Sequence, residues 1–548
     1  MRYYSTNHSV EPVTLREAVI KGLAADRGLF MPEVIRHLPA SFFDEIQDLS
    51  FQEIAYSVAD AFFGEDVEAD ALRKIVYDTL SFDVPLVHVR DNIYSLELFH
   101  GPTLAFKDVG ARFMARLLQY NLTYQPPLQG GAGSEVNVLV ATSGDTGSAV
   151  ANGFLGVDGI HVYVLYPKGK VSPIQECQFT TLGQNITAIE VDGVFDDCQA
   201  LVKSAFMDAE LNQHMMLTSA NSINVARFLP QSFYYFYAYA QLKRLSKSNP
   251  AIDLSQLVCC VPSGNFGNIC SALFGHAMGL PVKRFIAANN ANDVFYQYLQ
   301  TGQYIPRPSI QTLANAMDVG DPSNFARILD LYARSVVGIL SAPLAPVPGG
   351  SPASSSSAPS GPVLGGSLAS SSSAPSGPVL GGSLASSSSV PSGPVLGGSL
   401  ASSSSVPSGP VLGGLSAEAS TIAVIPSADP RAVHSAIISL ISGATYTDDQ
   451  IASAMRQCYA ETGYLLDPHG ACGYLALTEQ LKPGETGFFL ETAHPAKFKD
   501  TVDRILSADG KPSDIAIPDR LAAFMQGTKQ SIPMSRNFAD FKQFLLSR

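Results

Sequence analysis

One lysine in an apolar setting opens the chemistry of this chain. In the segment HGPTLAFKD (100–108) a Gly-Pro turn precedes Lys107, which stands beside Phe106, and GARFMARLLQY follows with helical spacing. A lysine held among apolar groups near a helix start gives up its proton more readily and serves as an amine nucleophile and base. The alternative is a solvated cation at a helix start. ATSGDTGS (141–148) mixes small hydroxyl residues with glycine between a strand-like and a helix-like stretch. In such a loop Ser143, Gly144, Asp145 and Thr146 can turn N–H groups and hydroxyls onto an anion at a helix N-terminus, or simply cap the helix. PSGNFGN (262–268) is a second loop of this kind. Gly264 and Gly267 permit close backbone approach to a phosphate, flanked by Asn265, Phe266 and Asn268. It lacks the lysine of a nucleotide-binding P-loop, and neutral donors of this sort suit a cofactor phosphate that stays bound. NSINVAR (221–227) places Asn221, Ser222 and Arg227 within one short stretch that could clamp another anion, although a lone arginine is more often a surface cation. ETAHPAK (491–497) sets Thr492, His494 and Lys497 after an apolar run. Thr492 at a strand end could meet a ring nitrogen, and His494 could equally be structural.

The elements that would carry these loops are strand–turn–helix units in series. VNVLVAT (136–142), IHVYVLYP (160–167), ITAIEVDG (186–193), LVCCVPSG (257–264), KRFIAANN (283–290) and TGFFLET (486–492) read as strands. Several lead through a turn into a helical pattern, which argues for a parallel sheet in an α/β fold. Ligands then sit at the carboxyl ends of the strands. The first 80 or so residues read as more helical, in LREAVIKGLA, FFDEIQDL and IAYSVADAFFG.

Composition narrows the partners. The 548 residues carry 48 acidic and 35 basic side chains, a formal net charge of -13. That argues against nucleic acid and against an anionic membrane surface. The seven cysteines include no CxxC pair and no metal-ligand spacing, so neither a metal site nor a disulfide framework is expected, and a reducing, cytoplasmic compartment is. The polar start, MRYYSTNHSVEP, is no secretory signal, and no apolar run is long enough to span a membrane.

One tract stands apart. From Ser335 to Ala417 there is no charged residue, and between Ser351 and Gly414 a 16-residue unit repeats four times, ending as SLASSSSVPSGPVLGG. Its Ser, Pro and Gly cannot bury enough apolar area to offset backbone entropy, which predicts a disordered insert in a surface loop.

Taken together, HGPTLAFKD, ATSGDTGSA, PSGNFGN, LDPHGACGYLAL (466–477) and ETAHPAKF resemble, in order, the threonine synthases of the longer bacterial and fungal type. The start, YYSTNHSVEPVTLREAVIKGLAADRGLFMP, resembles that family's start, and the likeness covers most of 1–335 and 430–548. The serine-rich insert and the asparagine at 268 depart from the family pattern. The resemblance implies an α/β, tryptophan-synthase-β-like architecture (fold type II) with two open α/β lobes. It divides the chain into an extra N-terminal domain over 1–85, a core over 86–335, an insert over 336–429 and the remainder of the core over 430–548. It implies pyridoxal 5'-phosphate joined to Lys107 as a Schiff base, with the cofactor phosphate in Gly264, Asn265, Phe266, Gly267 and Asn268 and Thr492 at the pyridine nitrogen. Ser143, Gly144, Asp145 and Thr146 would take the substrate carboxylate and help hold its phosphate. Asn221, Ser222 and Arg227 would bind that phosphate, with Lys497 a further cation. The implied reaction converts O-phospho-L-homoserine and water to L-threonine and phosphate, in a monomer or, as the alternative, a dimer. Two rival readings are a phospho-lyase that releases 2-oxobutyrate and a non-catalytic scaffold built on the same fold.

Overall fold

Continuous apolar runs become strands covered on both faces. The computed structural model describes residues 1–124, 135–338, 428–507 and 515–548; the repeats between Ser351 and Gly414, and with them the expected disorder of the insert, lie outside this set. The N-terminal strands are β1 (Arg2–Ser5), β2 (Val13–Thr14) and β3 (Phe30–Pro32). There follow β4 (Leu86–Arg90), β5 (Ile93–Glu97), β6 (Val136–Ala141), β7 (Ile160–Pro167), β8 (Ile186–Val191) and β9 (Met216–Ser219). Then come β10 (Leu257–Pro262), β11 (Arg284–Asn289), β12 (Ile441–Thr445), β13 (Thr486–Glu491) and β14 (Ile532–Met534).

Two sheets carry the core. One has the order β12-β11-β10-β13-β5-β4 and is parallel except for β4, which pairs antiparallel with β5. The other, β14-β8-β7-β6-β9, is parallel throughout. Every residue of β6, β10 and β13 is buried, as befits central strands with helices on both faces. Register pairs Val138 with Val162 in one sheet and Cys260 with Ile286 in the other.

The N-terminal stretch holds more than the helices read from its sequence. Leu15–Lys21, Ala40–Glu45 and Phe51–Phe63 are helical, but β1 to β3 form an antiparallel sheet beside them, ordered β2-β1-β3. A single apolar cluster joins Tyr3, Val19 and Ile54 to Phe113, Phe233, Phe274 and Phe488, so these N-terminal elements share a core with both sheets. The run after β8, which reads as one helix, is two: Phe195–Met207 and Ala209–His214, with Asp208 accepting from Leu211 N–H at 2.9 Å to cap the second. Helices Phe325–Val336 and Pro430–Leu440, which flank the insert, pack against one another. Among the described residues no helix is long and apolar enough to cross a membrane.

Candidate active site

The loops singled out in the sequence leave the carboxyl ends of their strands and converge. Ser143 follows β6, Asn221 follows β9, Gly264 follows β10 and Thr492 follows β13. Together with Lys107 they line one cavity of about 350 Å³.

Lys107 opens the helix Lys107–Tyr124, whose apolar face (Val109, Phe113, Leu117) is buried. Its setting comes from the turn before it. Asp108 accepts the N–H of Thr103 at 2.9 Å and its hydroxyl at 2.7 Å, which locks the turn onto the helix start. A Cβ on Gly101 would fall 2.4 Å from Asp108 Oδ2, so only glycine fits there. The Lys107 side chain is 14% exposed, with Nζ 5.0 Å from the Phe106 ring centre and 3.6 Å from Asp145 Oδ2. Burial pushes its amine below the usual lysine range. The nearby charges of Lys497 and Arg227 act in the same direction, and Asp145 opposes them.

Two helix N-termini face the cavity. Phe266 takes the left-handed conformation (φ 62°) and caps the helix Gly267–Ala277. Gly264 lies so close to the Met317 backbone that a Cβ would sit 2.8 Å from its Cα. Asn268 Oδ1 accepts both Tyr234 and Tyr235 hydroxyls. Its Nδ2 is buried without a partner among the described residues. On the other side Thr142 Oγ1 accepts from Gly144 N at 2.9 Å and Gly147 N at 2.8 Å, shaping the start of the helix Asp145–Phe154. Gly144 itself has φ 146° and packs on Gln175 behind the cavity wall.

The Asn221–Arg227 stretch is held from several directions. Asn265 Nδ2 donates to Ser222 Oγ at 2.7 Å, and Asn324 Nδ2 does so at 3.2 Å. Asn224 Nδ2 reaches Val19 O at 2.8 Å, and fully buried Arg327 ties Ile223 O (2.6 Å) to Phe30 O (3.1 Å). The N-terminal elements thus position this loop. Arg227 is 1% exposed and donates one bond, to Ala220 O, while its Nε has no partner. Burial brings its guanidinium down to about 10, against the pull of Asp108.

Of the residues proposed from sequence, Gly144 and Lys497 stand outside the cavity wall. Lys497 is fully buried behind it, paired with Asp145. Other residues join the wall that motif reading did not single out: Gln231, Met317, Asp318 and His469. His469 Nδ1 lies 2.6 Å from Asp467 Oδ1, and its Nε2 accepts Ala316 N–H at 3.1 Å, pinning the Asn315–Met317 turn. The LDPHGA run carried the signal for this pair, an aspartate two residues before a histidine at a helix start.

Four residues of this wall each carry a buried polar atom with no partner among the described residues: Arg227 Nε, Asn221 Oδ1, Gln231 Oε1 and Asn268 Nδ2. The cavity is polar, lined by Lys107, Arg227 and the starts of two helices, which suits an anionic ligand. A phosphate at the Gly264–Asn268 cradle, where the helix Gly267–Ala277 begins, with an aldehyde reaching Lys107, suits the backbone N–H groups and the amine found there, so the residues present fit pyridoxal phosphate. The parallel sheets, the buried amine of Lys107 and the glycine-bearing cradle suit a pyridoxal-phosphate-dependent enzyme of the tryptophan-synthase-β-like fold. Family models agree segment by segment: "Threonine synthase N terminus" over residues 2–80, "Pyridoxal-phosphate dependent enzyme" over 84–344 and "Threonine synthase, C-terminal" over 470–545. The chain is 36% identical to the threonine synthase of Haemophilus influenzae over 546 residues, covering all of both chains. The crystal structure of threonine synthase from Escherichia coli superposes with a TM-score of 0.74 at 34% identity, covering 100% of each chain. The pyridoxal-phosphate-bound threonine synthase from Brucella melitensis gives 0.75 at 28% identity, covering 100% of this chain and 99% of that one. This chain belongs to the threonine synthase family.

Proposed function

We propose that this enzyme converts O-phospho-L-homoserine and water to L-threonine and phosphate. The observation that carries the reading is Arg227: a buried cation with no carboxylate ion-paired to it among the described residues, on the wall of the cavity that also holds Lys107 and a separate phosphate cradle. Two anion sites around one amine suit a cofactor phosphate and a substrate phosphate together.

Pyridoxal phosphate, when bound, supplies a ring that takes up the charge left at Cα on proton removal. Lys107 would hold it through its amine, Gly264 to Asn268 would cradle its phosphate, and Thr492 would face its ring nitrogen. The depressed amine of Lys107 then suits it to take a proton from Cα and return it. The N-terminus of the helix Asp145–Phe154, with Ser143 and Thr146, would orient the substrate carboxylate through N–H groups and hydroxyls, while Gly144, its N–H held by Thr142 Oγ1, would shape the turn. Asn221, Ser222 and Arg227 would bind the substrate phosphate, so that the leaving group departs from Cγ toward a cation.

We also read the chain as a cytoplasmic monomer: its seven cysteines are free, six of them buried, as suits a reducing compartment. The domain limits of 1–85, 86–335, 336–429 and 430–548 belong to this same reading.

The test follows phosphate, threonine and 2-oxobutyrate together from O-phospho-L-homoserine and the full-length enzyme, with Lys107→Ala as control. Equal phosphate and threonine, both absent in the control, are expected. Phosphate with 2-oxobutyrate would make the enzyme a lyase, and no phosphate would overturn the substrate.

A further inference from the structure

Three segments far apart in the chain meet at one buried ion pair. Lys497, with no exposed surface, sets Nζ 2.6 Å from Asp145 Oδ1 and donates to Thr103 O at 2.8 Å. Thr103 belongs to the turn whose N–H and hydroxyl hold Asp108, the residue next to Lys107. Gln175 Nε2 donates to the same Asp145 oxygen at 2.9 Å. The other oxygen, Oδ2, is left toward Lys107 Nζ at 3.6 Å, beyond hydrogen-bond length.

The division of the carboxylate matters. A buried aspartate with a single amine nearby would hold that amine as an ammonium, because removing the proton would strand the negative charge. Here Lys497 neutralises Asp145 and also adds a second positive charge close to Lys107. Lys497 does not reach the cavity wall, so this position serves no ligand directly.

We propose that Lys497 is a positioning residue that acts through Asp145 on Lys107: its ammonium occupies the near oxygen of the carboxylate and ties it to the Thr103 turn, leaving the Lys107 nitrogen free to give up its proton. The charged groups facing Lys107 are Asp145, Lys497 and Arg227, and burial together with the two cations outweighs the one anion. The proposal rests on the reading of Lys107 as the reactive amine.

The test titrates the Lys107 nitrogen in two states of the full-length chain. In the holoenzyme the readout is the visible absorbance of the cofactor joined to that nitrogen. After cofactor removal it is the pH dependence of acylation of Lys107, followed by peptide mass spectrometry. In Lys497→Met, Asp145 loses its partner and turns to Lys107. Both titrations should rise by about one to two pH units, the span typical of a charge within 4–6 Å. Acylation one pH unit below the wild-type midpoint should fall about tenfold or more. The double variant Asp145→Asn/Lys497→Met removes both charges and should reverse at least half of the shift, which a merely structural role would not do. Unchanged midpoints in a Lys497→Met protein with native circular dichroism would overturn the proposal. Should that variant not fold, Asp145→Asn alone decides, since its midpoints must fall by about one unit and unchanged values overturn the proposal equally. Neither readout requires turnover. Threonine formation with unmoved midpoints would sink this inference alone, and shifted midpoints without threonine would sink the reaction alone.

Discussion

Gly110→Ala sets helix propensity against packing at the site. Gly110 lies three residues after Lys107 and faces the backbone of Arg227. An added Cβ would sit 2.3 Å from Arg227 O, 3.2 Å from its carbonyl carbon and 3.3 Å from Nε. Non-bonded heavy atoms settle near 3.5 Å, so the helix and the Arg227 segment must part by about 1 Å. In an open helix the same change would stabilise by about 1 kcal/mol. Here overpacking costs about 1–3 kcal/mol, and both neighbours are buried, so a net loss of about 1 kcal/mol is expected. Function should suffer more, since a displacement of about 1 Å at a positioned group costs up to about 100-fold in kcat/KM. Urea unfolding and steady-state kinetics on O-phospho-L-homoserine measure the two effects. A variant that gains about 1 kcal/mol and keeps kcat/KM within twofold would refute the close approach of this helix to Arg227.

Two further outcomes follow from charges. Arg227→Met keeps an unbranched buried side chain but removes a cation that no carboxylate contacts directly. Stability should hold or improve, while KM for the phosphorylated substrate rises about 10- to 100-fold, the worth of a charge-assisted hydrogen bond. An unchanged KM would remove Arg227 from the substrate site. Glu485 is 2% exposed; burial alone would raise its carboxyl, but bonds from Arg284 and Lys283 override this and bring it to about 2. Its folded value lies below the ordinary 4.5, so its contribution is full above that pH and is lost as the pH falls from 4.5 toward 2. The loss amounts to about 3 kcal/mol. Glu485→Gln should flatten that part of the stability–pH curve, and an unaltered slope in acid denaturation would show that the ion pair does not bear it.

Most of the strands legible in the sequence bury both faces, and ITAIEV, part-buried at Thr187 and Glu190, was legible as well. VNVLVA, LVCCVP and FFLE lie between helices and are apolar at every position but Asn137 and Glu491, so composition marks them. The strands passed over are short or mixed in character: LVHVR and IYSLE at one sheet edge, ISGAT at the other, and MLTS on the second sheet. Their pairing is decided by neighbours from distant parts of the chain, Glu491 beside Glu97 and Thr445 beside Asn289. The same holds for β1 to β3, whose partners a local pattern does not reveal.

The reactive groups and their loops were also written locally. Glycine is needed where the backbone must approach closely, and a lysine between a Gly-Pro turn and an apolar helix face is a candidate amine, so candidates can be read one segment at a time, while the family resemblance came from the segments taken together. What each side chain faces was not local. Lys497 reads from sequence as a cation for substrate, but tertiary packing buries it behind the cavity and spends its charge on Asp145. Asn268 reads as one donor among several, and only tertiary packing brings it against the hydroxyls of Tyr234 and Tyr235, from another helix. The sequence by itself determined which residues could do chemistry and on which turns they stand, because turn geometry and strand burial are properties of neighbours in the chain. The tertiary structure alone decided which of them meet, because burial and charge pairing depend on partners more than 300 residues away, as for Asp145 and Lys497.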